Sequence, residues 1–294
     1  MSTGVPICKL ARFSLTTANV NDLAAFYETA FGCRRLATER LSGSDFERLM
    51  GVRGGALSVT LTLGREIIEI LQFDQRDRPY PKEAPASDLV FQHFAIVVQN
   101  MAQAYQRLSM LEGWSAISRG GPQRLPESSG AVTAFKFRDP EGHPLEFLAF
   151  PNHHVPLIWR KEAGDTCLGI DHSAISVSNT ARSVAFYESL GFEVSARSMN
   201  QGPEQEKLDD VSGVRVEVTA LAPLQPTPHL ELLCYQPAAN SHVPTLKNSE
   251  TATTRLELQI SGVSDADDAP VIRHSVLDPD GHHLVIAPFE QLSA

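Results

Sequence analysis

Apolar positions recur along the chain in two patterns, and each half repeats them in the same order. Phe13-Ser-Leu-Thr-Thr-Ala-Asn-Val-Asn-Asp-Leu-Ala-Ala-Phe-Tyr-Glu28 matches Ser173-Ala-Ile-Ser-Val-Ser-Asn-Thr-Ala-Arg-Ser-Val-Ala-Phe-Tyr-Glu188, with Phe26 and Phe186 160 positions apart. Each stretch opens as a short β-branched strand. Leu23, Phe26, Tyr27 and Ala30 then recur at helical spacing and predict a helix with one face on the core. Asn19 and Asn179 stand where a helix N-cap belongs, and Gly32 and Gly191 where a left-handed cap residue ends one.

Further strands follow in both halves. Glu66-Ile-Ile-Glu-Ile-Leu71 and His229-Leu-Glu-Leu-Leu-Cys234 are apolar strands, each with a central glutamate. Gln92-His-Phe-Ala-Ile-Val-Val98 pairs with Thr254-Arg-Leu-Glu-Leu-Gln-Ile260. Asp139-Pro-Glu-Gly-His-Pro-Leu-Glu-Phe147 pairs with Asp278-Pro-Asp-Gly-His-His-Leu-Val-Ile286, an Asp-Pro-x-Gly turn running into a strand. The chain therefore divides into four quarters, three of which read as strand, helix and several strands. The fourth is reduced, because nothing after Ser261-Gly-Val263 corresponds to the helical Met101-Ala-Gln-Ala-Tyr-Gln-Arg-Leu108. The expected division is an N-terminal domain over 1–150, a linker over 151–167 and a C-terminal domain over 168–294. Within the linker, His153-His154 and Trp159-Arg160 are expected on the surface, with the tryptophan packed.

Composition narrows the class. A chain of 294 residues with 42% hydrophobic and 20% charged residues can bury two ordinary cores. Its net charge of −10 argues against nucleic acid, whose phosphates call for a basic surface. No stretch reads as a signal peptide or a membrane span. Cys8, Cys33, Cys167 and Cys234 are widely spaced, as expected of reduced thiols in a cytoplasmic protein.

Asp171-His172, Ala185-Phe-Tyr-Glu188, Ile68-Glu69, Leu230-Glu231, His93-Phe-Ala-Ile96 and Asp139-Pro-x-Gly-His-x-Leu-Glu146, in this order and spacing, resemble the vicinal oxygen chelate superfamily. That superfamily includes glyoxalase I, methylmalonyl-CoA epimerase, extradiol dioxygenases, and fosfomycin and bleomycin resistance proteins. The resemblance covers nearly the whole chain. It implies an α+β fold of four βαβββ modules, the fourth reduced, forming two domains with cup-shaped mixed sheets. It also implies one divalent metal ion (Fe, Ni, Co, Mn or Zn) held by the first and last strands of two modules. The corresponding slots are Arg12 and Glu69, His93 and Glu146, His172 and Glu231, and Arg255 and Val285. The register of Arg255 is the weakest of these, with Glu257 two residues on.

The family pairs modules in two ways. Pairing one with two and three with four would leave an arginine in each cup, which cannot lose its proton and repels a cation. Pairing two with three gathers His93, Glu146, His172 and Glu231 as metal ligands and leaves Arg12, Glu69, Arg255 and Val285 in the other cup. The bland readings are a core histidine at 93, a Glu146–Lys136 ion pair, and Glu69 bridged to Arg12 and Arg255.

By similarity to glyoxalase I the expected chemistry is metal-assisted proton abstraction beside a carbonyl of a small oxygen-chelating substrate, by a lyase, isomerase or epimerase. Glu146 is the candidate base and Glu231 the alternative. A ring-cleaving dioxygenase, or a metal-free binding or resistance protein, are the rivals. The loop Arg119-Gly-Gly-Pro-Gln-Arg-Leu-Pro126 is expected to be solvated, with an anion clamp as the other reading. The tandem arrangement suits a monomer, with a homodimer as the alternative.

Overall fold

The computed structural model describes residues 7–82, 84–160, 166–237, 245–260 and 273–288. The first module contains β1 (Ile7–Thr16), α1 (Val20–Phe31), β2 (Arg34–Leu41), α2 (Ser44–Met50), β3 (Ala56–Leu63) and β4 (Glu66–Phe73). The second contains β5 (Gln92–Val98), α3 (Met101–Ser109), β6 (Ser115–Ala116), β7 (Gln123–Arg124), β8 (Thr133–Arg138) and β9 (Pro144–Ala149). The third contains β10 (Cys167–Ser176), α4 (Thr180–Ser189), β11 (Glu193–Gln201), α5 (Pro203–Asp209), β12 (Arg215–Ala222) and β13 (His229–Gln236). The fourth contributes β14 (Thr254–Ile260), β15 (His274–Leu277) and β16 (His283–Pro288). The helix expected to be missing from it would fall within 261–272, outside the described residues.

Two mixed sheets result, and each draws one module from each half. One runs β15-β16-β14-β1-β4-β3-β2. The other runs β11-β12-β13-β10-β5-β9-β8-β6, with β7 on β8. The seams are antiparallel, β1 on β14 and β10 on β5. The modules therefore pair as two with three and one with four.

The sheets share a single main core. Phe13 of β1 meets Phe94 of β5 with ring centroids 5.3 Å apart. Tyr27 and Phe31 of α1 reach Phe94, Phe137 and Phe147 of the other sheet. Alternation along each strand sends Phe94, Ile96, Leu145 and Phe147 into this core. His93, Ala95, Glu146 and Leu148 are thereby turned to the opposite face.

The repeated motifs fasten the halves internally. Tyr27 Oη donates to Asp139 Oδ2 and Tyr187 Oη to Asp278 Oδ2, each at 3.1 Å. His143 Nε2 donates to Thr16 O and His282 Nε2 to Ser176 O, each at 2.9 Å. Ala-Phe-Tyr-Glu and Asp-Pro-x-Gly-His thus form one buried staple per half, joining a helix of one sheet to a turn of the other. Asn19 and Asn179 cap their helices as expected, accepting from Asp22 N and Arg182 N.

Gly64 allows a close approach between the halves. Gly64 has φ +64, and a Cβ there would lie 2.3 Å from the Leu168 carbonyl oxygen. A Gly64→Ala change should destabilise the protein by about 2 kcal/mol or more, from the left-handed backbone plus a clash with main chain that cannot rotate away. A urea melt within 0.5 kcal/mol of wild type, on the scale of a neutral surface change, would contradict this contact.

Candidate functional site

The concave side of the β10–β5 seam holds a cavity of about 360 Å³. His93, Glu146, His172 and Glu231 all line it. The register explains their meeting: His93 lies opposite Ala174, and His172 opposite Ala95. Ala95 also lies beside Glu146, and Ala174 beside Glu231. Small residues at the seam leave room for the longer side chains around them. Equivalent pairings place Arg12, Glu69, Arg255 and Val285 on the other sheet, so the slot at 255 holds.

Three of the four come close together. His93 Nε2 donates to Glu146 Oε2 at 2.8 Å, and His172 Nε2 lies 3.9 Å from that oxygen. Ligand atoms of His93, Glu146 and His172 all lie within 4.8 Å of one another. Glu231 stands to one side, 3.6 Å from His172 Nε2 and 3.6 Å from His229 Nε2.

Charge follows from these contacts. Burial keeps His93 below its ordinary pKa and therefore neutral, although Glu146 pulls the other way. Burial alone would raise Glu146, but the His93 hydrogen bond and Lys136 outweigh it and lower the carboxyl. Burial likewise opposes ionisation of Glu231, and His172 and His229 reverse it, to about 2. His172 is desolvated too, yet Glu231, Asp171 and Glu146 lift it to about 9.

Asp171, next to His172 in one of the motifs, lies inside β10. The β10–β5 register shifts between Ile170 and His172, so Asp171 is the extra residue of a bulge. The bulge brings neighbouring side chains together, and His172 Nδ1 donates to Asp171 Oδ2 at 3.0 Å. That bond leaves Nε2 directed at Glu146 and Glu231, the usual way a carboxylate orients a metal-ligating imidazole. Trp159 Nε1 donates to the other Asp171 oxygen at 3.1 Å. The linker tryptophan is packed as expected, and it also supports the site. The first half has the same bulge, between Leu10 and Arg12, with Ala11 in place of the aspartate.

Two expected ion pairs differ. Lys136 lies beside Glu146 in register but donates a hydrogen bond to Asp209 Oδ1 at 2.6 Å, because α5 of the third module delivers that carboxylate directly to it. In the other sheet Arg12 does bridge Glu69, at 2.9 Å. Arg255 reaches Glu69 only through Ser14, whose hydroxyl donates to Glu69 and accepts from Arg255 Nε. Arg255 also donates to Asn248 O and Thr16 Oγ1, and Arg273 pairs with Glu257. These pairs and Met50 leave a void of about 10 Å³ where the second set of slots converges. The 119–126 loop sends neither arginine into the main cavity; Arg119 sits 3.7 Å from Asp210 on the surface.

The fold agrees with the comparisons. The Glyoxalase/Bleomycin resistance protein/Dioxygenase superfamily model matches residues 9–147 and 169–287, and the chain belongs to that family. A glyoxalase I mutant from Zea mays superposes with a TM-score of 0.60 at 15% identity, covering 95% of this chain and 93% of that one. A putative dioxygenase from Bacillus subtilis superposes with a TM-score of 0.58 at 9% identity, covering 96% of this chain and 86% of that one. At such identities the likeness is one of fold. No curated protein matches the chain. Among the described residues no helix is long and apolar enough to cross a membrane.

Proposed function

We propose that the chain is a divalent-metal-dependent enzyme, a glyoxalase-like lyase, isomerase or epimerase that moves a proton on the carbon beside a carbonyl of a small oxygen-chelating substrate. The observation that carries this is the trio of His93, Glu146 and His172, buried with ligand atoms within 4.8 Å of one another and with Glu231 against His172. Neutral imidazole and ionised carboxylate suit a divalent first-row ion. The Asp171 bond directs His172 Nε2 inward, so the donor set fits a metal, with His93, Glu146, His172 and Glu231 as the holding residues. When bound, the ion supplies Lewis acidity to a carbonyl oxygen and balances charge that develops beside it.

The chain's own groups supply the proton chemistry. Glu146 is ionised, shielded from water, and held by a single hydrogen bond from His93. A carboxylate so placed can leave that bond and take a proton from carbon. Glu231 can do the same from the third module, and its contact with His229 would relay the proton outward. Glu146→Gln, loaded to the metal content of the wild type, should lower solvent-proton exchange into a bound 2-oxo compound by roughly 100-fold or more. Unchanged exchange in this variant, with loss in Glu231→Gln, would move the base to Glu231.

One observation favours a second reading. With Glu231 drawn toward His229, the tight set is two histidines and one carboxylate, the ligand composition of non-haem iron oxygenases. Oxygen uptake by the iron-loaded protein with catechols would support this reading in place of the first.

A further inference from the structure

The cavity has a second polar pole that the proton chemistry does not use. Lys136 lines the cavity from β8 and is 4% exposed. Its place is built: Ser118 Oγ accepts from Lys136 N at 2.8 Å and donates to Leu208 O at 2.9 Å, fixing β8 against the end of α5. Arg119 N donates to Lys207 O at 2.7 Å and holds the same end. Asp209 is thereby fixed opposite the ammonium.

Asp209 is fully engaged. Its Oδ1 accepts from Lys136, and its Oδ2 accepts from Gln205 Nε2 at 2.7 Å and from Tyr235 Oη at 3.2 Å. Lys136 is not. An ammonium carries three protons, and one goes to Asp209. Phe91 covers part of it, with the ring centroid 6.0 Å away. Burial alone would make the amine easier to deprotonate, but Asp209, Tyr235 and Glu146 outweigh that and keep it charged. Gln205, also in the cavity wall, has its amide nitrogen committed to Asp209, and its Oε1 has no hydrogen-bond partner among the described residues. A desolvated ammonium with spare protons, beside an unpartnered acceptor, is a recognition pair awaiting a ligand.

We propose that Lys136 determines specificity here by binding a carboxylate on the substrate, with Gln205 Oε1 accepting from a neighbouring hydroxyl. The substrate class is then a small oxygen-chelating acid, one end at the His93–Glu146–His172 cluster and its carboxylate at Lys136. A volume near 360 Å³, at the small end of ligand sites, suits such a molecule. This inference rests on the preceding reading of the cavity as the substrate site. It adds a role to the Lys136–Asp209 bond, which otherwise serves as a strut between the second and third modules.

The test uses hydroxamates, which chelate through vicinal oxygens, against cobalt(II)-loaded full-length protein followed by its visible spectrum. Acetohydroxamate is compared with the monohydroxamates of malonate and succinate. The wild type should bind one of the carboxylated probes roughly tenfold or more tighter than acetohydroxamate. Lys136→Arg should keep the preference. The double variant Lys136→Met/Asp209→Leu, which removes both charges, should lose it while still binding acetohydroxamate. A strut alone would leave the ratio unmoved. Equal affinities in the wild type, or a preference that survives the double variant, overturn the assignment. Protein that retains no cobalt overturns the metal reading instead. In that case saturation-transfer NMR of propanoate against propanamide on the metal-free protein decides the role of Lys136: propanoate binding lost in the double variant supports it, and no preference for propanoate refutes it.

Discussion

Replacing His172 with alanine should weaken divalent-metal binding by roughly 100-fold or more, a larger loss than the 10- to 100-fold typical of removing an outer partner of a ligand. His172 is the hinge of the cluster, with Glu146 at 3.9 Å and Glu231 at 3.6 Å from its Nε2 and Asp171 bonded to its Nδ1. Without the imidazole the two glutamates face each other across a gap. Arg255→Ala on the other sheet should leave metal stoichiometry unchanged, since its neighbours there are Ser14, Thr16 and Asn248. The binding should also depend on pH in a definite sense. Metal-free His172 keeps its proton up to about 9, and a metal must displace that proton. Apparent affinity should therefore rise by up to about tenfold per pH unit below 9 and then level off, with about one proton released per ion at neutral pH. Calorimetry in buffers of different ionisation enthalpy measures both. Equal loading of wild type and His172→Ala would falsify the cluster as a metal site.

The second large effect concerns stability. Asp209→Ala should cost about 3–5 kcal/mol, because it leaves the Lys136 ammonium buried without its counter-charge and frees Gln205 and Tyr235 as well. Lys136→Met/Asp209→Leu should recover most of that loss, since two well-packed apolar side chains often match a buried ion pair. The surroundings favour this, with Leu125, Leu148, Leu208 and Leu233 on the same wall. Urea unfolding of the wild type, the single and the double variant forms the measurement. A single variant within 1 kcal/mol of wild type would mean that water reaches Lys136 and the pair is not a buried one.

Both predictions depend on features that differ in how far the sequence reveals them. His93, Glu146, His172 and Glu231 are legible from the resemblance and the repeat together: the resemblance implies slots on the first and last strands of each module, and the repeat with strand alternation carries those slots from one half to the other. Given the two pairings that the resemblance allows, the arginines at 12 and 255 choose between them, since a guanidinium cannot lose its proton and repels a cation. Asp171 is different: alternation sends residues 171 and 172 to opposite faces, and only the bulge brings them together. No local pattern signals a bulge that the other half carries with Ala11. Lys136 and Asp209 are 73 positions apart, and their meeting depends on how α5 of one module lies over a neighbouring sheet. A lysine at 136 beside a glutamate at 146 suggested the nearer partner, and tertiary packing supplied a better one. The distance between Arg255 and Glu69 has a similar origin, a serine at 14 that separates two otherwise matched charges.

The seam pairings also set an order in time. The nine-stranded sheet is made from residues 92–236, one uninterrupted stretch. The seven-stranded sheet joins residues 7–73 to residues 254–288, with Ile7 opposite Ile260. During synthesis from the N-terminus, the sheet bearing His93 and His172 can be complete while β14 is still unmade. The edge of β1 must wait for it, exposing a row of unpaired amides and carbonyls of the kind that invites mispairing. Lesions in the fourth module should therefore appear first as aggregation of newly made chains, and only afterwards as altered chemistry at the cluster of His93, Glu146 and His172.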